Sequence, residues 1–92
     1  MAQVELTRHL YSFFPDLEGR DLSVTASTVA EVVQEMDRIA PGLAFYITDE
    51  RGRLRRHVNI FVDKEGVRDR QRLSDRVGPD AHVLIVQALS GG

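Results

Sequence analysis

The chain contains no cysteine and no tryptophan. Without a thiol there are no disulfides, thiolate metal sites or cysteine nucleophiles; any sulfur chemistry would need sulfur from elsewhere. Lysine is nearly absent as well: Lys64 is the only one among 12 basic residues, and every other is arginine. Copies joined through lysine side chains are confined to that one site. No apolar run approaches the ~20 residues that cross a bilayer. The opening Met1-Ala2-Gln3-Val4-Glu5 lacks the basic-then-apolar pattern of a secretory signal. The expectation is therefore a cytoplasmic protein with no membrane association. A net charge of −2, with 12 basic and 14 acidic residues interspersed, leaves no strongly basic face, so no nucleic-acid partner is expected.

What is present is the composition of a soluble globular protein, 42% hydrophobic and 28% charged over 92 residues, enough for one core. Val4 and Leu6 alternate with Glu5 and Thr7, so residues 3–10 read as a half-buried strand. Pro15 ends that pattern in a loop, and Tyr11, Phe13 and Phe14 are expected to plug one end of the core, with ligand stacking as the alternative. Glu18-Gly19-Arg20-Asp21 turns into a second strand, Leu22–Thr25, which makes a hairpin. Thr28 followed by Glu31 is a capping box. From there Val29, Val32, Val33, Met36 and Ile39 mark one apolar stripe of a helix over about 28–39, stopped by Pro41-Gly42. Leu43–Ile47 fits either a helical turn or a strand. His57–Val62 alternates as a strand, and Asp63-Lys64-Glu65-Gly66 turns with Gly66 at the position that needs positive φ. Val67–Val77 is polar and irregular, anchored by Leu73 and Val77, and Gly78-Pro79-Asp80 leads into a last strand over 82–88.

One helix covers one face of a sheet. Yet the last strand is apolar on both sides, Val83 and Ile85 on one and Leu84 and Val86 on the other. With Phe61 on the outer side, that face is either a docking patch for a partner or is covered by loops. Ala88-Leu89-Ser90-Gly91-Gly92 follows the strand. Glycines without Cβ atoms pass through channels too narrow for other residues, and five extended residues reach roughly 15 Å. Two readings fit this ending: the Gly92 carboxylate is a reactive group, or the end is incidental and frayed. Nothing else carries obvious chemistry. His9, His57 and His82 lack metal-ligand spacing, no serine sits in a nucleophile motif, and no glycine-rich phosphate loop occurs. Arg51, Arg53, Arg55 and Arg56 form the densest basic cluster, read as a solvated face or as a steering patch for an acidic partner.

Thr28-Val29-Ala30-Glu31-Val32-Val33, Arg55–Asp63 and Val83–Gly92 together resemble the ubiquitin-like sulfur carriers, the family of the molybdopterin synthase small subunit and the thiamine-thiazole sulfur carrier. The turns depart from that family, with Asp63-Lys64-Glu65-Gly66 where members carry Asn-Gly. The resemblance implies an α+β, ubiquitin-like β-grasp fold. It would have a mixed four- to five-stranded sheet, one main helix, a domain over 1–87 and a flexible tail over 88–92. It also implies a carrier rather than an enzyme, with no bound cofactor. An adenylating partner would use ATP to activate Gly92, with Gly91 allowing close approach. A thiocarboxylate at Gly92 would then deliver sulfur inside a second partner, molybdopterin-type synthesis being favoured. Phe61, Leu84, Val86 and Leu89 would form the partner interface. Conjugation to proteins through Gly92, or a β-grasp interaction module with an incidental Gly-Gly, is the alternative.

Overall fold

In the computed structural model, which describes residues 1–87, the alternation at the start of the chain forms β1 (Ala2–Leu6), with Ala2, Val4 and Leu6 buried and Gln3 and Glu5 exposed. The strand stops at Leu6, short of the expected 3–10. Leu10 is fully buried, and it gets there because residues Arg8–Phe13 coil into a short helix, α1, begun by the Thr7 carbonyl accepting from Leu10 and Tyr11 N–H. A 3₁₀ turn over Pro15–Leu17 follows, and β2 (Leu22–Val24) returns antiparallel to β1, Leu22 opposite Val4. Tyr11 and Phe14 pack against the core as expected. Phe13 does not, and stands 45% exposed.

The long helix α2 (Val29–Ile39) buries Val29, Val32, Val33 and Met36, each stabilising by roughly 1.5–3 kcal/mol relative to exposure. Ile39, counted in the same stripe, lies at the surface. Thr28 Oγ1 accepts from Glu31 N–H at 3.3 Å, as a capping box requires. The Glu31 carboxylate reaches one residue further back than the motif predicts, to the N–H and hydroxyl of Ser27. The remaining N–H groups of the first turn are met by the segment 67–77, with Val29 donating to Asp75 O and Ala30 to Leu73 O. That segment is therefore the cap of α2 rather than a mere connection. Its own shape is held by Asp69, whose carboxylate accepts from the Ser74 hydroxyl and from the N–H groups of Gln71, Arg72 and Ser74.

Gly42, at φ 99°, ends the α2 turn, and Asp37 Oδ1 accepts from Gly42 and Ala44 N–H. Leu43–Ile47 then resolves as a helical turn, α3, with Leu43 and Ile47 buried. The chain re-enters the sheet as β3 (Val58–Val62), one residue later than expected. A two-residue turn leads to β4 (Glu65–Gly66). Here Asp63 (φ 49°) and Lys64 (φ 73°) take the left-handed conformation assigned beforehand to Gly66. The final strand β5 (His82–Gln87) inserts between β1 and β3, giving the order β2-β1-β5-β3-β4. It runs parallel to β1, Val83 opposite Val4, and antiparallel to β3, Ile85 opposite Ile60. The first and last strands thus pair at the centre of a mixed, five-stranded sheet.

Two measurements test this capping arrangement. Thr28→Ala should lower unfolding stability by about 1 kcal/mol in urea titration. The Asp69 carboxyl is held below its ordinary 3.8, chiefly by the Ser74 hydroxyl and then by the Arg72 N–H. A carboxyl depressed by folding contributes stability above its unfolded pKa and loses it as pH falls through the folded value. Asp69→Asn should therefore destabilise at neutral pH and flatten the loss of stability as pH falls through and below the ordinary carboxylate range.

Candidate functional site

The pleat of the sheet divides its side chains cleanly. Val83 and Ile85 of β5, with Val58 and Ile60 of β3, are fully buried under α2. Leu84 and Val86 alternate to the other side of the sheet and stay half-buried. Phe61 and Leu84 are cross-strand partners, an apolar pairing that contributes roughly 0.2–1 kcal/mol. Together with Lys64 and His82 they line an open, mostly apolar depression of about 390 Å³. Val86 sits two residues along β5, opposite Asn59. The structure thus brings Phe61 and Leu84 together and sets Val86 beside them on the same outer face. Leu89, Gly91 and Gly92 lie outside the described residues.

Two neighbours of this face were not anticipated. His82 Nε2 lies 3.5 Å from Glu5 Oε1 across the parallel pair. Lys64 stands on the β3–β4 turn at the edge of the depression, so the chain's one lysine borders its apolar outer patch. Neither position has a local sequence signal. Both follow from the register of β5, which only the assembled sheet reveals.

The end of β5 is also framed. Gln87 N–H donates to Thr7 Oγ1 at 3.3 Å on one side, and Gln87 pairs with Val58 on the other. The turn just before Val58 is held by Arg70. Its guanidinium donates to Arg55 O (2.8 Å), Val58 O (2.9 Å) and Asn59 Oδ1 (2.9 Å). Asp49 organises the preceding turn, accepting from Arg51 and Arg53 N–H with one oxygen and from Arg53 Nε with the other. Desolvation pushes the Asp49 carboxyl up, but the N–H groups of Arg53 and Arg51 and the Arg53 guanidinium outweigh it, and its pKa falls below the usual 3.8. Among the described residues no three histidine, aspartate or glutamate side chains gather as a metal site.

A central parallel pair of terminal strands, a capped helix across one face and an open second face define a ubiquitin-like β-grasp protein. The sequence model of the ThiS family matches residues 11–92. The chain belongs to the ThiS family, the ubiquitin-like sulfur carriers that the sequence resembles. No curated protein sequence gives a significant match. Solved structures do. A chain of the Amycolatopsis orientalis BexX/CysO complex superposes with a TM-score of 0.82 at 22% identity, covering 100% of both chains. Mycobacterium tuberculosis CysO gives 0.81 at 25% identity, covering 97% of this chain and 100% of that one. Small archaeal modifier protein 1 from Methanosarcina acetivorans gives 0.77 at 18% identity, covering 99% and 95%.

Arg70 provides the test of this framing. Arg70→Ala removes three charge-assisted hydrogen bonds from carbonyl groups and should cost about 1–3 kcal/mol in chemical denaturation. Arg70→Lys should recover little of it, because one ammonium cannot reproduce the forked geometry.

Proposed function

We propose that this protein carries sulfur as a thiocarboxylate on Gly92, and that the folded part of the chain serves to present residues 88–92 to partner enzymes. The observation that carries the reading is the family match itself, which runs through Gly91 and Gly92. The outer face supports it, since Phe61, Leu84 and Val86 offer an apolar surface on the strand that leads into the tail.

An α-carboxylate with a pKa near ~3.5 is anionic at neutral pH and a poor electrophile. A ubiquitin-activating-like partner would transfer AMP from ATP to the Gly92 carboxylate, releasing pyrophosphate. A sulfur donor would then attack the acyl carbon and expel AMP, leaving the thiocarboxylate. In that scheme ATP belongs to the partner, this chain binds no cofactor, and none of its side chains is catalytic. Gly91 lets the tail approach the reacting phosphate closely, Leu89 joins the outer-face contacts, and enclosure by the partner protects the acyl-adenylate from water. The crystallised BexX/CysO complex is a precedent for a fold relative bound to a second protein. The sulfur acceptor expected from the sequence is a molybdopterin precursor. No molybdopterin synthase subunit is among the relatives named above.

A second reading is conjugation to other proteins through Gly92, favoured by the likeness to an archaeal protein named as a modifier. It predicts Gly-Gly remnants on lysines of other proteins in a cell digest.

Intact mass spectrometry separates the two. After incubation with the adenylating enzyme of the same organism, ATP and a sulfide donor, the protein should gain the mass difference between one sulfur and one oxygen. Deleting Gly92 should abolish the gain, and Leu84→Glu should slow it without unfolding the protein. Remnants on other proteins with no such gain would replace the carrier reading with the modifier one.

A further inference from the structure

Beside the Arg55–Val58 turn, which borders the end of β5, the surface is neither apolar like the outer sheet face nor mixed in charge like the rest of the chain. On the α1 side, Phe13 is 45% exposed and stacks on Tyr46 with ring centroids 4.7 Å apart. On the α3 side, Phe45 is 72% exposed, the most exposed aromatic among the described residues. Arg55 joins this aromatic ledge to the β3 turn. Its Nε donates to Phe45 O at 2.8 Å, and its guanidinium lies 5.0 Å from the centre of the Phe45 ring. Arg56 and His57 follow, both exposed, and the open basic depression they border measures about 590 Å³.

The charge here is unbalanced. Asp49 is the only carboxylate lining that depression, and both its oxygens are committed to the Arg53 side chain and to backbone N–H groups. Among the described residues Arg55, Arg56 and Arg70 pair with no carboxylate. Arg55 and Arg70 are held by carbonyl oxygens instead, so their conformational entropy is already spent before any partner arrives. Exposed aromatics beside fixed arginines are the composition of a protein interface rather than of a nucleotide or metal site.

We propose that Phe13, Phe45, Arg55 and Arg56 form a collar that docks against an acidic rim around the active-site channel of the adenylating enzyme, which takes in the tail. The proposal rests on the carrier reading above and adds a second, electrostatic contact to its apolar one. The occupant follows from position and charge. A channel that receives residues beyond Gln87 has its mouth against the elements that flank Gln87. Those elements are α1, through Thr7, and the Arg55–Val58 turn. Unpaired guanidinium groups there match carboxylates on the rim, and the exposed Phe45 ring matches an apolar ledge beside them.

The test uses the full chain with the adenylating enzyme of the same organism, ATP and inorganic sulfide, following thiocarboxylate formation against carrier concentration. The double variant Arg55→Gln/Arg56→Glu should raise KM by about tenfold and leave kcat at saturation unchanged, since rim charges act on encounter. Wild-type KM should climb with salt, and the variant's should climb much less. Phe45→Ser, at an exposed position with little folding cost, should raise KM independently. Arg76→Glu, an exposed residue paired with Thr28 at the start of α2, should not. Thermal unfolding of each variant confirms that it is folded. Wild-type KM values in the collar variants, or an equal effect of Arg76→Glu, would overturn the collar while leaving the carrier intact. Absence of any thiocarboxylate on the wild type would instead overturn the carrier reading and the collar with it.

Discussion

The parallel pairing of β5 with β1 is the constraint on which the rest of the structure depends. Gln3 N–H donates to Ala81 O and Thr7 N–H to Ile85 O, fixing where the last strand enters the sheet and where it leaves. Because side chains alternate along a strand, this register decides that Val83 and Ile85 face α2 while Leu84 and Val86 face out. A slip by one residue would bury Leu84 and expose Ile85, removing the core and the outer patch together. The same bonds deliver Gln87 to a defined place between Thr7 and Val58. Core, outer face and exit are therefore consequences of a single strand register. The pairing joins opposite ends of the chain, a contact whose loop entropy must be met before it stabilises anything.

The carboxylates with shifted pKa values serve this scaffold. Glu31 is held down first by Ser27 N–H and then by the Ser27 hydroxyl, at the entry to α2. Asp49 shapes the turn before Arg53 and Asp69 the loop that caps α2. Each accepts from N–H and O–H groups of the neighbouring chain, so its negative charge is consumed in holding backbone. The loops that matter most to the sheet's edges are thus made rigid by ionised groups, while glycine is left to the few turns that need it, Gly42 at the end of α2 among them.

Much of this was legible in the residues because the signals are local. Period-2 alternation located β1 and β3, an apolar run behind Gly78-Pro79-Asp80 located β5, and Thr28 with Glu31 located the start of α2. The misreadings have tertiary causes. Residues 8–13 continue an alternating pattern, but Leu10 enters the core only by coiling. Gly66 was the natural residue for positive φ, yet the tight connection of β3 to β4 imposes that conformation on Asp63 and Lys64. Leu43–Ile47 is too short for periodicity to decide, and packing against α2 settles it as a helix. The outer patch of Phe61, Leu84 and Val86 was readable because an apolar outer face on a one-helix fold is anomalous. The basic cluster Arg51, Arg53, Arg55 and Arg56 was readable as a solvated face or a steering patch, but not the way Phe45 O holds the Arg55 side chain and Arg70 holds the Arg55 carbonyl, which needs the assembled fold.

Two surfaces of different chemistry on one small protein make physical sense for a carrier, in the reading proposed above. Such a molecule must meet each partner quickly and leave once its cargo has moved. Enlarging the apolar patch would lengthen every residence, because buried apolar area acts mainly on dissociation. Charge at the rim acts mainly on association and on the choice of partner, with little cost to release. Placing arginines beside the exit and a modest apolar face on the sheet separates those two demands. It also orients the encounter. A partner attracted to the Arg55–Arg56 side arrives with its channel next to Gln87, so the search for the tail is short. The economy of lysine fits the same logic: guanidinium groups hold carbonyl oxygens and carboxylates in fixed, forked geometry, which a flexible ammonium does not.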